Sequence, residues 1–255
     1  MHNTIHISET NLSLAWVKNI KILLDEKTSD STTIITSISE LDNNSIPIIS
    51  KIEEELNLKL VEKKLELIEN TASTIFPISL WNKNKDRKFL FDNYLKVADR
   101  IRSRKRNRCG IYFNRMINYD GAENKANQLD HIISCWNKNN HRFSALQVAI
   151  FNPKLDHNFK SQHGFPCLQQ LSIMPLGSNG SDGLSIIAYY PKQLIMERAY
   201  GNFKGLCHLG QFLAHEMGLQ FKNLTCINVK ADLYNPAKFN LQDIKDFYNN
   251  IKTIS

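Results

Sequence analysis

The stretch Gly164-Phe165-Pro166-Cys167-Leu168-Gln169 places a cysteine directly after a proline at the start of an apolar run. That run continues to Pro175, so the segment 167–175 predicts a buried strand. Further along, Asn202 opens a long amphipathic segment that ends at Met217 and predicts a helix. The sequence therefore predicts a cysteine at the start of a strand and an asparagine at the start of a helix.

Hydrophobic periodicity predicts further elements on both sides of this stretch. The predicted helices cover residues 12–26, 47–55, 88–106, 127–136 and 241–251. The predicted strands cover residues 32–38, 145–151, 184–190 and 224–229, and residues 70–77 have the composition of a polar turn. Because helices and strands follow one another in mixed order, we expect a single α+β domain spanning residues 1–255.

Composition limits the class of protein. The chain has 255 residues, of which 42% are hydrophobic, which is enough for a globular domain with a sizeable core. No apolar run approaches the length of a membrane span, and the first residues lack the pattern of a signal peptide, so a cytoplasmic location is expected. The net charge of +7 suits an anionic ligand, although it would serve solubility equally well.

The five cysteines are odd in number and contain no C-x-x-C pair. This pattern argues against both a disulfide framework and a zinc site. Cys135, Cys207 and Cys226 lie in apolar stretches, and we expect them to be buried structural thiols.

Several short blocks between residues 110 and 234 resemble, in order and spacing, those of the thymidylate synthase and pyrimidine hydroxymethylase superfamily. In chain order they are GIYFNRM (110–116), NQL (127–129), VAIFNP (148–153), PC (166–167), the segment 184–202, AHEMGL (214–219) and ADLY (231–234). The resemblance implies a three-layer fold in which helices pack on a large mixed sheet. It also implies a homodimer that packs sheet against sheet.

The resemblance assigns the central chemistry to Cys167, which would add to C6 of a pyrimidine so that C5 can take up a one-carbon unit. A thiolate suits this step because it is a soft nucleophile and a good leaving group, and it needs positive charge nearby. Arg142 and the basic run at residues 102–108 are the candidates for that charge. Asn202 would bind the O4/N3 or N4/N3 edge of the base, or it is simply a helix cap.

Two further residues are candidates for proton transfer. The resemblance places Glu69 in a relay to O4 and C5 through water, although it is equally well explained as an ordinary surface carboxylate. Tyr112 would join this relay, but the tyrosine of the family aligns one position later, on Phe113.

Binding of the sugar and phosphate is where the sequence departs from the family. Asp232 and Tyr234 would lie near the ribose, while Gln169 and Ser185 are polar residues that either line the site or point outward on their strands. The phosphate-binding arginines of the family fall on other residue types here, with Lys192 and Arg142 as the nearest cations. In a homodimer, Arg102, Arg104 and Arg106 of the other copy would rebuild the phosphate site.

The one-carbon donor implied by the resemblance is 5,10-methylenetetrahydrofolate. The chain lacks the family's apolar C-terminal tail, and Leu194 stands where the family has an aspartate near base and folate. Uracil and cytosine, and methyl and hydroxymethyl products, therefore all stay open. The alternatives are an enzyme of this fold with a changed, non-phosphorylated substrate in specialised metabolism, or a degenerate homologue that binds nucleotide or RNA through residues 100–108. Nucleic acid is not expected as a partner, because no aromatic residues alternate with those arginines.

Overall fold

The structure is a computed structural model that describes residues 3–25, 32–103, 111–119, 126–139, 141–157 and 166–254. The strands are β1 (Asn3–Glu9), β2 (Thr32–Ile38), β3 (Gln147–Ala149), β4 (Gln170–Leu176), β5 (Gly183–Leu194) and β6 (Phe221–Asp232). The α-helices are α1 (Leu12–Asp25), α2 (Ser50–Glu62), α3 (Ile68–Ile75), α4 (Arg87–Arg102), α5 (Tyr112–Ile117), α6 (Gln128–Asn137), α7 (Pro153–Asp156), α8 (Tyr200–Met217) and α9 (Leu241–Ile251). The expected α+β class is confirmed.

The described strands form one mixed sheet in the order β1-β2-β6-β5-β4-β3. The pairs β1/β2 and β5/β6 are parallel, and the remaining neighbours are antiparallel. Parallel neighbours need a crossover connection, and helices α1 and α8 supply the two that this sheet requires. A π-helical turn, Ile195–Ala199, leads from β5 into α8, so α8 starts beside the carboxyl end of β5.

The two faces of the sheet differ in burial. Along β5, Ile186 and Ala188 are fully buried in the core, whereas Tyr189 is 39% exposed. On the neighbouring strand, Cys226 is buried and Val229 is 36% exposed. This alternation indicates that the helices cover one face, while the other face is largely open in the described part of the chain.

Several boundaries differ from those predicted. Residues 70–77 are not a polar turn but belong largely to α3, whose Ile68, Thr71, Ala72 and Ile75 are buried at helical spacing. The Asn, Thr and Ser residues of this segment hide that period in the sequence. The predicted strand at 145–151 is only three residues long, and β4 begins at Gln170, so Cys167 precedes its strand.

The three cysteines expected to be buried structural thiols differ in their exposure. Cys207 and Cys226 are buried as expected, whereas the expectation for Cys135 is wrong, because this residue is partly exposed beside His131. Among the residues that the structure describes, no three histidine, cysteine or acidic side chains are placed to hold a metal ion. No helix in this part of the chain is long and apolar enough to cross a bilayer.

Helix α8 approaches its neighbours most closely at two glycines. A Cβ atom at Gly205 would lie 2.6 Å from the carbonyl oxygen of Ala72 in α3, and one at Gly210 would overlap the ring of Phe221 in β6. The absence of a side chain at these positions therefore sets how closely α8 packs on α3 and on the sheet.

Gly205→Ala and Gly210→Ala should each lower the free energy of unfolding by roughly 1–3 kcal/mol, because overpacking outweighs the better helix propensity of alanine. Phe221→Leu should recover part of the loss in Gly210→Ala, since the obstacle there is a side chain. Ala72→Gly should recover little in Gly205→Ala, since that obstacle is backbone. Urea denaturation of the single and double variants measures both effects, and stabilisation by either single substitution would contradict this packing.

Candidate active site around Cys167

Cys167 lies at the end of the sheet where β5 and β6 finish. The antiparallel β4/β5 ladder ends at the pair Gln170–Tyr189, three residues after Cys167 in the chain. Lys192 lies three residues beyond Tyr189 on β5, and its charge acts on the Cys167 thiol. In the parallel β5/β6 ladder Lys192 is level with Lys230, two residues before Asp232. A thiol, two lysines and a carboxylate therefore meet at one edge of the sheet.

Tyr112, the first residue of α5, places its hydroxyl group against this thiol. Burial and the negative charge of the Cys167 thiolate raise the pKa of Tyr112 well above its ordinary value, although backbone N–H groups of Leu168 and Cys167 and the charge of Arg198 lower it in part. Tyr112 therefore keeps its proton at neutral pH and can donate a hydrogen bond.

The Cys167 residue is exposed to solvent, whereas its thiol group is largely enclosed by neighbouring groups, and these decide its acidity. Burial of the thiol raises its pKa, and this outweighs the positive charges of Arg198 and Lys192 and the hydrogen bond with Tyr112, all of which lower it. The resting group is therefore a protonated thiol. The two cations and the phenol stabilise the thiolate whenever the proton leaves.

Arg198 is the residue of this candidate site that sequence reasoning missed. It lies in the π-helical turn, and its guanidinium donates a long hydrogen bond of 3.4 Å to Oγ1 of Thr71. In the described part of the chain no carboxylate forms an ion pair with it, whereas Lys192 is paired with Asp232 at 2.7 Å. No motif marks Arg198 in the sequence, because its position depends on the turn between β5 and α8.

Asn202 lies one helical turn after Arg198, and residues four apart lie on the same side of a helix. The alternative that Asn202 caps this helix is wrong, because α8 begins at Tyr200 and its N-terminus has no side-chain cap. The side chain of Asn202 is buried, and none of the described residues forms a hydrogen bond with it. The Asn202 amide can therefore donate and accept hydrogen bonds with a ligand.

Behind the thiol, the interior holds polar groups without partners. Tyr190 and Asn228 are level with each other on β5 and β6, and both are fully buried. The Tyr190 hydroxyl and both amide atoms of Asn228 find no hydrogen-bond partner among the described residues. Burial, together with Cys226, Tyr112 and Cys167, raises the pKa of Tyr190. Each unpaired buried group lowers the free energy of unfolding by roughly 1–3 kcal/mol. This part of the interior is therefore not optimised for stability alone.

The other predicted sugar-binding and lining residues lie at different distances from Cys167. Gln169 uses its backbone to join β5, donating from its N–H to the carbonyl of Tyr189 at 3.0 Å. Ser185 lies seven residues before Lys192 along β5, roughly 20 Å from this edge, so the structure does not bring it to Cys167. Tyr234 packs partly buried against the core just after β6.

Glu69 and the predicted arginines are also dispersed. Glu69 is exposed on α3 and forms an ion pair with Lys204, which also binds Glu53 at 2.7 Å, and it is not among the groups that act on Cys167. Arg142 lines a separate pocket beside α6. Arg102 ends α4 and its side chain is not described, while Arg104 and Arg106 lie outside the described residues.

A buried ion pair fixes helix α5 and hence Tyr112. Arg115 donates to both carboxylate oxygens of Asp156, at 2.6 and 2.7 Å, and also to the carbonyl of Ile150 at 2.9 Å. The backbone N–H of Asn152 donates to the same carboxylate at 2.8 Å. Burial alone would raise the pKa of Asp156, but these hydrogen bonds and the charge of Arg115 together lower it.

Comparison with protein-family models and with curated proteins finds no match for this chain. The interpretation of the site therefore rests on its geometry and on the sequence resemblance described above.

Because the pKa of Asp156 is lowered on folding, its contribution to stability is present above the unfolded value of about 3.9 and is lost as the pH falls through the folded value. Asp156→Asn should lower the free energy of unfolding at pH 7 by roughly 1.5–3 kcal/mol, because it removes the charge that accepts the two hydrogen bonds of the partly buried Arg115. It should also flatten the loss of stability between pH 5 and strongly acidic conditions. Denaturation across this range measures both effects, with exposed Asp246→Asn as control; an unchanged acid profile would contradict the assignment.

The alkylation rate of Cys167 by iodoacetamide should rise with pH through a midpoint above the ordinary cysteine value of about 8.5. Arg198→Gln should move that midpoint higher still, because it removes a positive charge that lowers the pKa. Peptide-resolved mass spectrometry separates Cys167 from the other thiols. Lys222→Gln is the matched control, since it removes a cation from the opposite end of β6. An unchanged or lower midpoint in Arg198→Gln would show that the guanidinium does not act on the thiol.

Proposed function

We propose that this protein is a one-carbon transferase with a thymidylate synthase-like fold. It adds a carbon to C5 of a pyrimidine nucleotide through a covalent bond between Cys167 and C6. The observation that carries the proposal is the convergence of Tyr112, Lys192 and Arg198 on the thiol of Cys167. These three groups come from α5, β5 and the π-helical turn, yet all of them stabilise a thiolate at one point.

The chain's own residues supply the nucleophile and the groups that stabilise charge in this chemistry. The sulfur of Cys167 adds to C6 and its proton passes to solvent, while the electron pair of the C5–C6 double bond moves onto the C4 substituent. The amide of Asn202 and the hydroxyl of Tyr112 donate hydrogen bonds to the charge that develops there. After C5 has formed its new carbon bond, its proton passes to water, the C5–C6 double bond re-forms, and the C6–sulfur bond breaks with its electron pair returning to sulfur. Arg198 and Lys192 stabilise the thiolate at the start and at the end.

Arg198 also gives the site a means of holding the substrate's anionic group. Lys192 forms an ion pair with Asp232, whereas the described residues form no ion pair with Arg198, whose charge also acts on the neighbouring Glu197. A guanidinium can donate two parallel hydrogen bonds to a phosphate, which a lysine cannot do. We therefore propose that Arg198 takes the place of the phosphate-binding arginines that the sequence lacks.

The carbon has to come from an electrophilic donor, and 5,10-methylenetetrahydrofolate is the donor that the resemblance implies. That cofactor would supply an activated carbon at the oxidation level of formaldehyde. Leu194 stands where the family has an aspartate near the base and the folate, and its apolar side chain cannot make that polar contact. Addition of Cys167 to C6 and the later breaking of the C6–sulfur bond do not involve residues that contact the donor.

A homodimer is the proposed assembly. The open face of the sheet presents apolar side chains that include Met174, Tyr189 and Val229, which are 38%, 39% and 36% exposed. Packing this face against a second copy would bury them and would follow the sheet-on-sheet arrangement implied by the resemblance.

The proposal is tested by tritium release from C5-labelled dUMP, UMP, dCMP and CMP, with and without methylenetetrahydrofolate. Addition at C6 labilises the C5 hydrogen, so at least one nucleotide should release tritium. Cys167→Ser should abolish release while its thermal unfolding stays that of the parent protein. Full release in Cys167→Ser, or none from any nucleotide, would overturn the proposed reaction on pyrimidine nucleotides.

Comparing a nucleotide with its nucleoside separates phosphate binding by Arg198 from the effect of Arg198 on the thiol. Arg198→Gln should raise KM for the active nucleotide at least about tenfold and KM for its nucleoside much less, while its effect on the thiolate should lower kcat for both alike. Lys222→Gln should leave both unchanged. If the parent protein prefers the nucleoside, the substrate is non-phosphorylated and Arg198 serves the thiol alone.

A further inference from the structure

The π-helical turn that carries Arg198 is held by tertiary hydrogen bonds at each of the residues 195–197, directly before the arginine. The carbonyl of Ile195 accepts a hydrogen bond from the indole N–H of Trp16, in α1, at 2.8 Å. The backbone N–H of Met196 donates to the carbonyl of Leu233, just after β6, at 3.0 Å. Contacts with distant parts of the chain therefore fix the path of this turn.

Glu197 is the third of these residues, and it contributes its side chain. Its Oε1 atom accepts a hydrogen bond from the backbone N–H of Asn235 at 2.9 Å, and the residue is only 7% exposed. Burial raises the pKa of Glu197, although the N–H of Asn235 and the charges of Arg198 and Lys238 lower it in part. A buried carboxyl group needs hydrogen bonds within the protein because it has lost those to water. The Glu197 side chain thus links the π-helical turn to the chain after β6.

The far end of this link is itself well fixed. The carbonyl of Asn235 accepts hydrogen bonds from the N–H groups of Lys238 and Phe239, at 2.8 and 3.0 Å. Its side chain accepts another from the N–H of Ala237 at 3.0 Å, and Phe239 is buried in the core. Asn235 therefore belongs to a tight turn that is anchored in the interior, and it can serve as a support for the π-helical turn.

The side chain of Arg198 depends on such support. The hydrogen bond between its guanidinium and Oγ1 of Thr71 is long, at 3.4 Å, so this contact holds it only weakly. The direction in which the side chain leaves the backbone is set by the turn. A shift of the turn would move the guanidinium away from Cys167, and its effect on the thiol would decrease with distance.

We propose that Glu197 is a positioning residue for the reaction at Cys167, which holds the π-helical turn through Asn235 so that Arg198 faces the thiol. Glu197 is not among the groups that act on the thiol directly, so its effect passes through Arg198. This role rests on the proposed function, in which Arg198 stabilises the thiolate and binds the anionic group of the substrate. The contribution of Glu197 is a hydrogen-bond acceptor at a fixed point, and the amide oxygen of a glutamine would supply the same acceptor.

The test is a double-mutant cycle on the pH midpoint of Cys167 alkylation by iodoacetamide. Glu197→Met fills nearly the same space without an oxygen acceptor, and should raise the midpoint by at least about half of the rise in Arg198→Gln. In the Arg198→Gln background the same substitution should add no further rise, because the group that it positions is gone. Glu197→Gln keeps the acceptor, and its midpoint should be no higher than that of the parent protein.

Glu216→Met is the matched control, since it removes another partly buried carboxylate at the opposite end of α8 and should leave the midpoint unchanged. Glu197→Leu, which also lacks the oxygen, should behave as Glu197→Met does, and thermal unfolding checks that each variant is folded. The proposal would be overturned by an equal rise with and without Arg198, by an equal rise in Glu197→Gln, or by no rise in Glu197→Met. Alkylation involves no turnover, so these outcomes are independent of whether any nucleotide releases tritium.

Discussion

The parallel pairing of β5 with β6 is the constraint on which the candidate active site depends. A parallel pair requires the chain to cross back over the sheet, and α8 makes that crossing from the end of β5. The crossing forces a sharp change of direction after Leu194, which the π-helical turn provides and which carries Arg198. Because β4 runs antiparallel to β5, its amino end returns to the same edge and brings Cys167 there. Residues far apart in the sequence thus meet where the strands end.

Two opposing effects set the acidity of Cys167 at this edge of the sheet. Burial disfavours the Cys167 thiolate, whereas Arg198, Lys192 and Tyr112 favour it, and burial prevails in the resting protein. A thiol of this kind is held protonated but close to groups that stabilise its ionised form. The unpaired Tyr190 and Asn228 beneath it show that this interior is not optimised for stability alone.

The scaffold around the site is correspondingly stiff. Arg115 and Asp156 tie α5 to α7, and Tyr112 is the first residue of α5. On the other side, the close approach of α8 to α3 at Gly205 fixes the helix pair that positions Arg198 and Thr71. Each contact is distant from the sulfur of Cys167, yet each limits how far the surrounding groups can move. Rigid support of this kind is what precise placement of reacting groups requires.

The sequence by itself determined the class of fold and helices with strong periodicity, such as α1, α6 and α9, because burial of one face imposes a spacing that can be read directly. It also determined β2, whose β-branched residues favour a strand. It failed for α3, whose polar composition hides the period, and it placed Cys135 in the core although that residue is partly exposed. It also selected Cys167, Tyr112 and Lys192, which the structure brings together. Only the tertiary structure decided that Glu69 pairs with Lys204, that Ser185 lies at the far end of its strand, and that Arg198 faces the thiol. Those placements follow from strand register and from a single turn of chain, and neither leaves a local signal in the sequence.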